Sequence, residues 1–189
     1  YGLKLIIENK EVHNIMVIWL TGLPGAGKTT IATLLIEKLH ILGKQALLLD
    51  GDALRNALQL SNYDTDSRKK VALTYARLGK MFSIQGSIAI CATVSMFDSV
   101  RQWNADNISD YFEVYIKVSD EVLIARNQKG LYSTNTTGEA TNVHGFDLAA
   151  IKQIETPKTP HLVINNNGLE SPDVLVDKIL AQIIYNKNV

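Results

Sequence analysis

The feature that most constrains this chain is the segment 22–29, which reads Gly-Leu-Pro-Gly-Ala-Gly-Lys-Thr. An apolar run over 15–20 precedes it, and apolar residues at helical spacing follow it over 30–40. A strand, a glycine-rich turn and a helix in that order are the context of a phosphate-binding loop. Glycines let backbone N–H groups curve around an anion, and the helix N-terminus adds partial positive charge. The segment therefore predicts a nucleotide phosphate site.

Within this loop, two side chains carry specific chemistry. Lys28 can reach the β- and γ-phosphates, and the Thr29 hydroxyl can bind Mg²⁺, so ATP and Mg²⁺ are the predicted cofactors. A glycine-rich turn that binds nothing is the alternative, but every fixed position of the pattern is present and both flanks have the right period. The residues predicted to bind the nucleotide are Gly22, Leu23, Pro24, Gly25, Ala26, Gly27, Lys28, Thr29, Thr30 and, at a later helix end, Arg126.

The rest of the chain alternates between short apolar runs and helical patterns. This alternation predicts an α/β fold with a mostly parallel, doubly wound sheet in three layers, and the glycine-rich segment makes it a P-loop NTPase. We expect one domain over 16–189, after an N-terminal extension over 1–15. The predicted strands lie near 15–20, 46–49 (read as buried), 88–94, 111–118 and 161–164, and helices over 30–40, 53–58, 68–84, 100–108, 119–126 and from 171 onward fill the intervals.

Composition narrows the class of protein. The 189 residues carry no net charge, which argues against a nucleic-acid binder, and a single cysteine, Cys91, excludes an internal disulfide. Because no run is apolar enough to cross a membrane and no signal peptide is visible, we predict a cytoplasmic protein that acts on a small-molecule nucleotide. A homodimer is one arrangement that the sequence leaves open. Burial in the core is the favoured interpretation of Cys91.

The acceptor side of the site is predicted from charges that follow the second strand. Asp52 is the candidate for contacting the acceptor hydroxyl or a Mg²⁺-bound water, and Asp50 is the second choice and a candidate metal ligand. For each aspartate, capping the next helix is the alternative role. Arg55, one turn after Asp52, and Arg68, at the start of a helix, are candidates for binding an anionic acceptor. Tyr63, in a polar loop, is either a stacking platform for a base or an ordinary half-buried tyrosine.

These pieces together resemble the adenylylsulfate (APS) kinase family, over most of 17–168. The resemblance rests on Trp-Leu-Thr-Gly-Leu-Pro-Gly-Ala-Gly-Lys-Thr-Thr at 19–30, Leu-Leu-Asp-Gly-Asp at 48–52, Lys-Gly-Leu-Tyr at 129–132 and Gly-Glu at 138–139. It implies a kinase domain of the nucleoside-kinase-like type, transfer of phosphate from MgATP to the ribose 3′-hydroxyl of APS, and a lid over about 127–147. It also places Asp52, Arg55, Tyr63 and Arg68 beside the acceptor. The other residues predicted to bind substrate are Ser95, Lys129 and Leu131.

The departures from the family pattern lie mostly on the acceptor side. Val71 stands where the family usually has asparagine, Leu73 and Thr74 replace an arginine pair, and 95–98 read Ser-Met-Phe-Asp in place of Ser-Pro-Tyr-Arg. The ATP-binding residues match the family pattern, whereas the acceptor-binding residues differ from it. This contrast favours an acceptor that is related to APS but different from it. The variant group that fits is the cytidine diphosphoramidate kinases of capsule phosphoramidate synthesis.

The sequence leaves two other interpretations open and disfavours a third. APS itself is the alternative acceptor. A catalytically inactive nucleotide-binding module stays open, because the lid segment has lost its usual basic residues at 133–136, whereas Lys28, Thr29 and Asp52 argue for transfer. A GTPase is disfavoured, because residues 127–130, Asn-Gln-Lys-Gly, lack the aspartate of a guanine-reading motif.

Overall fold

The computed structural model describes residues 16–62, 64–127 and 154–185. Their strands form one parallel five-stranded sheet in the order β2-β3-β1-β4-β5. The strands are β1 (Met16–Thr21), β2 (Ala46–Asp50), β3 (Ile88–Thr93), β4 (Tyr111–Lys117) and β5 (Leu162–Asn165). The helices are α1 (Lys28–Ile41), α2 (Gly51–Ala57), α3 (Thr65–Ser83), α4 (Asp98–Asn107), α5 (Asp120–Arg126) and α6 (Pro172–Tyr185). The α/β prediction and the parallel sheet are confirmed.

The central strand β1 has both faces buried, which explains its unbroken apolar sequence. Side chains of alternate residues enter two separate cores, since successive residues of a strand point to opposite faces. Ile18 and Leu20 pack with α1, α5 and α6, whereas Val17 and Trp19 pack with α3 and α4. The molecule therefore has the three layers that the alternating pattern predicted.

Close packing of α3 on the sheet depends on a glycine. A Cβ at Gly79 would lie 3.1 Å from the Cys91 sulfur and 3.4 Å from Val17 Cγ1. Cys91 itself is fully buried in β3, as predicted, and burial raises the pKa of its thiol well above the usual range. The cysteine is therefore a packing residue in this core.

The strand order places the phosphate-binding loop at the topological switch point of the sheet, where strand connections begin to run to the opposite side of β1. From β1, the chain runs through α1 to β2 at one edge, and later strands β4 and β5 add on the other side of β1. The carboxyl ends of β1, β2 and β3 consequently open onto one crevice. Such a switch point is the usual ligand site of open α/β sheets.

Two sequence expectations need correction. The segment 46–49 is predicted to be a buried strand, but among the described residues β2 lies at the edge of the sheet, and only its Leu49 is buried. In that part of the chain, its strand neighbour is β3. Helix α3 begins at Thr65, three residues before the predicted start, because the Asp64 side chain accepts the Ser67 N–H and caps it. The predicted extension over 1–15 and, except for Asn127, the predicted lid lie outside the described residues.

Candidate active site

A cavity of about 860 Å³ opens at the carboxyl ends of β1, β2 and β3. One side is formed by the phosphate-binding loop and the start of α1, and the other by α2, α3 and the segment after β3. The sequence-predicted residues on its wall are Pro24, Gly25, Gly27, Lys28, Thr29, Thr30, Asp50, Asp52, Arg55, Arg68 and Ser95. Tertiary folding thus brings the predicted ATP half and the predicted acceptor half into one space.

The loop backbone requires glycine at two positions. A Cβ at Gly22 would lie 2.5 Å from the Ile116 carbonyl oxygen, because the loop passes directly over β4. Gly27 has φ +88°, in the left-handed region, and a Cβ there would lie 2.5 Å from Asn166 Nδ2. These constraints hold the loop in one conformation before α1 begins. Together with the helix N-terminus, that conformation suits an anion.

Lys28 lies on the inner side of this loop. Its Nζ donates hydrogen bonds to the carbonyl oxygens of Gly22 and Leu23, at 2.9 and 2.8 Å. Burial lowers the pKa of the ammonium to about 8, while Asp52 and Asp50 act in the opposite direction. The positive charge is thus held next to the loop in a poorly solvated place, where it interacts strongly with a phosphate.

Asp50 connects the loop to the acceptor side. Its Oδ2 accepts a 2.8 Å hydrogen bond from the Thr29 hydroxyl, and its Oδ1 accepts the N–H groups of Asp52 and Ala53, at 3.0 and 3.1 Å. Asp50 is therefore the N-cap of α2. A hydroxyl and a carboxylate oxygen in contact are a donor set that suits Mg²⁺, so Thr29 and Asp50 fit the predicted metal.

This geometry decides which aspartate caps the helix. Asp52 lies in the first turn of α2, after the cap, and lines the cavity near enough to Lys28 to affect its pKa. The capping role that competed with a catalytic role for Asp52 belongs to Asp50. Asp52 thus remains a candidate for contact with an acceptor hydroxyl.

Two guanidinium groups face the acceptor half of the cavity. Arg55 Nη1 donates to the carbonyl oxygens of Leu60 and Asn62, at 3.4 and 3.0 Å, which ties α2 to the loop after it. The Arg68 guanidinium lies 5.6 Å from the centroid of the Phe97 ring. Burial, with a smaller contribution from Arg55, lowers the pKa of Arg68. Two cations in one half-buried wall favour an anionic ligand.

The floor of the acceptor half is made by uncharged groups. Ser95 is buried, and its hydroxyl lies 2.7 Å from the Thr93 hydroxyl. Val71 and Tyr75 of α3 also line the cavity, and the Tyr75 hydroxyl donates to the Gly51 carbonyl at 2.9 Å. Sequence reasoning singled out Val71 as a departure but missed Tyr75, which belonged to the apolar pattern of a helix.

Arg126 is attached to the outside of the loop. Its Nη1 donates to the Gly25 carbonyl at 3.0 Å, and its Nη2 donates to the Asn166 carbonyl at 2.7 Å. Asn166 in turn donates from Nδ2 to the Ala26 carbonyl at 2.8 Å. Two successive loop carbonyls are thereby held from outside the loop.

Asn166 is a second residue of this site that sequence reasoning missed, after Tyr75. It is a buried polar residue directly after β5, and nothing in its short sequence context distinguishes it from its neighbours Asn165 and Asn167. Tyr63, Lys129 and Leu131, three of the predicted substrate-binding residues, lie outside the described residues.

The comparison with protein families agrees with this geometry. Residues 14–165 match the family described as adenylylsulphate kinase. The chain belongs to the adenylylsulphate kinase family. It is a kinase with a hydroxyl acceptor, as its relatives are. Among the described residues, none of the helices has the length and apolar character needed to cross a membrane.

Named relatives of this chain include enzymes for two acceptors. A cytidine diphosphoramidate kinase from Campylobacter jejuni is 41% identical over 172 residues, covering 89% of this chain and 98% of the relative. An adenylyl-sulfate kinase from Bacillus velezensis is 34% identical over 168 residues, covering 86% of this chain and 82% of that enzyme. A solved structure of Mycobacterium tuberculosis APS kinase with AMPPNP and APS has TM-score 0.77 and 26% identity, covering 89% of this chain and 96% of that one.

Proposed function

We propose that this kinase transfers the γ-phosphoryl group of MgATP to the ribose 3′-hydroxyl of cytidine diphosphoramidate, in the cytoplasm, for capsule phosphoramidate synthesis. The observation that carries the proposal is the single cavity in which Lys28 and Asp52 lie between a phosphate-binding loop and two arginines. The higher identity to the Campylobacter enzyme supports this acceptor over APS.

The nucleotide half supplies binding and charge neutralisation. The N–H groups of the loop and the Lys28 ammonium bind the β- and γ-phosphates, and Lys28 stays with the phosphoryl group as its charge develops. On phosphate binding, Lys28 exchanges the Gly22 and Leu23 carbonyls for phosphate oxygens, which offsets the desolvation of its charge. Thr29 and Asp50 would hold Mg²⁺, which neutralises charge between the phosphates when bound.

The acceptor half supplies orientation. Asp52 accepts the hydrogen of the 3′-hydroxyl and directs that oxygen at the γ-phosphorus. Arg55 and Arg68 bind the diphosphate of the acceptor, whose two negative charges suit two neighbouring guanidinium groups. Holding the two reactants in line in this way lowers the barrier mainly through positioning.

The apolar parts of the acceptor wall support the cytidine compound over APS. Val71 cannot donate or accept a hydrogen bond, whereas the asparagine that APS kinases usually carry there can do both. A site built to hydrogen-bond one group discriminates strongly against ligands that lack its partner. APS remains the second candidate acceptor, because the fold is shared with an APS-bound enzyme over most of the chain.

The deciding experiment is a coupled ATP-to-ADP assay of the purified protein with Mg²⁺ and either cytidine diphosphoramidate or APS. We expect kcat/KM to be higher with the cytidine compound, by at least about tenfold. The product should carry its new phosphate at the 3′ position, which a 3′-deoxy acceptor tests directly, since it should not turn over.

Either of two results would overturn the proposal. A preference for APS would make the acceptor-side departures neutral changes within an APS kinase. Binding of ATP with no transfer to either compound would indicate a nucleotide-binding module.

A further inference from the structure

The acceptor wall is completed by the segment 95–98, which leads from β3 into the first residue of α4 and contributes Ser95 and Phe97 to the cavity. The Phe97 ring lies under the Arg68 guanidinium and the Lys69 ammonium, each 5.6 Å from its centroid. The position of this segment therefore determines the positions of the Phe97 ring and the Arg68 guanidinium in the acceptor wall.

The segment is held by Glu155, which is far away in sequence. The Glu155 N–H donates to the Met96 carbonyl at 3.0 Å, and the Glu155 carboxylate accepts the Asp98 N–H. Arg101 adds a third connection, because its Nη2 donates to the Glu155 carbonyl at 2.8 Å and also to the Asp98 carboxylate. The Arg101 guanidinium thus connects Asp98, at the start of α4, with the backbone of Glu155.

Arg101 also faces the sheet. Its Nε lies 4.0 Å from Oε1 of Glu113, a buried residue of β4. Glu113 is opposite Trp19 of β1 in the parallel register, and its backbone N–H donates to His161 Nδ1 at 3.0 Å. Burial raises the pKa of the Glu113 carboxyl to about 7, and Arg101 opposes that rise. The Nε–Oε1 separation is too long for a hydrogen bond, so Glu113 only faces the guanidinium, and the two hydrogen bonds from Nη2 are what hold it.

We propose that Arg101 is a positioning residue for acceptor binding: it joins Asp98 to Glu155 where its guanidinium faces Glu113 of the sheet, and so sets the wall formed by Ser95 and Phe97. It does not touch ATP or the acceptor. This inference rests on the proposed function, since it assumes that the acceptor occupies the half of the cavity beside Phe97.

The test separates the two substrates kinetically. For Arg101→Lys, which keeps a charge but loses the planar group whose Nε faces Glu113 while its Nη2 contacts Glu155 and Asp98, we expect KM for the acceptor to rise roughly tenfold. KM for ATP should change less than about twofold, because the phosphate-binding loop is held by other contacts. Isothermal titration with the acceptor nucleotide and with AMPPNP should give the same division in Kd.

A second variant and a control distinguish a change in acceptor positioning from a general loss of folded structure. Asp98→Asn changes an exposed side chain that contacts Arg101, so it should fold normally and raise the acceptor KM in the same direction by roughly threefold. Arg77→Gln removes another arginine, one that lies 5.5 Å from the Trp103 ring of α4 and outside the cavity wall, and should leave both KM values unchanged.

The inference is overturned if folded Arg101→Lys and Asp98→Asn leave the acceptor KM and Kd at wild-type values, or if the constants for ATP and acceptor rise together. The ratios are measured with whichever of cytidine diphosphoramidate and APS the wild type binds. Failure of the proposed function therefore appears in the acceptor preference of the wild type. Failure of this inference appears in the ratio of the variant's acceptor KM to that of the wild type.

Discussion

The two halves of the cavity are built from different parts of the chain. On the nucleotide side, the ligand surface is mainly backbone, and Asn166 and Arg126 hold the Ala26 and Gly25 carbonyls from outside. On the acceptor side, the surface is mainly side chains, carried by the seven-residue helix α2 and by α3 next to an edge strand. Backbone recognition survives most side-chain changes, whereas side-chain recognition is altered by single substitutions. Under the proposed function, the acceptor can therefore change through single side chains while the phosphate-binding loop stays the same.

The largest expected effect comes from the residue at the boundary between the halves. Asp52→Asn should lower kcat by roughly 10²–10⁴-fold, because the amide no longer accepts the proton of the acceptor hydroxyl. Steady-state kinetics and titration with AMPPNP measure kcat and nucleotide affinity separately, and the Kd for AMPPNP should stay unchanged. Asp66→Asn, an exposed carboxylate in the first turn of α3, is the matched control. Near-normal kcat in Asp52→Asn would contradict its assigned role.

The next effect tests the acceptor half alone. Arg68→Gln should lower kcat/KM for the acceptor by roughly 10–150-fold, the cost of about 1.5–3 kcal/mol for a lost charged hydrogen bond. Acceptor titrations at saturating ATP measure it. Arg77→Gln, from the exposed face of the same helix, is the control. An equal rise in the KM for ATP would show that the halves are not independent.

A smaller effect tests the nucleotide half alone. Asn166→Ala removes the hydrogen bond to the Ala26 carbonyl and should raise KM for ATP by roughly two- to tenfold, with the acceptor KM unchanged. ATP titrations at saturating acceptor measure this change. Asn165→Ala, an exposed neighbour on β5, should behave as wild type. If Asn166→Ala bound ATP normally, the loop would keep its conformation without the hydrogen bond from Asn166 to the Ala26 carbonyl.

The smallest effect is a dependence on pH. Burial places the pKa of Lys28 in the free protein at about 8, so its positive charge is present below pH 8 and is lost as the pH rises through that value. Because the charged form binds phosphate, kcat/KM for ATP should fall roughly fourfold between pH 7 and pH 8.5. Lys28→Arg keeps its charge over this range and should show no such fall, whatever its absolute rate. A flat wild-type profile up to pH 9 would contradict the proposed role of burial.

Local sequence patterns were sufficient for several features that depend on neighbouring residues, although they misplaced the start of α3. The segment 22–29 specified the glycine-rich turn that leads from β1 into α1, and the pattern of 100–108 located α4 within two residues. The helix predicted from 171 onward is also present, and the Ser171 hydroxyl accepts the Val174 N–H at 3.4 Å. These features depend on backbone preferences and side-chain spacing within short windows, and the sequence displays both directly.

Tertiary structure alone decided how these elements complete the site. Asn166 reaches Ala26 across 140 positions of sequence, and Arg101 meets Glu155 across 54. The edge position of β2 likewise appeared only in the folded chain. The Asp50 cap of α2 is a local contact, since it accepts the N–H groups two and three residues ahead, but the sequence left Asp50 and Asp52 as alternatives. The sequence by itself determined a phosphate-binding loop and its lysine, because a loop of that shape is set by its own glycines. What surrounds the loop depends on strand order and helix packing, which join residues that no local pattern connects.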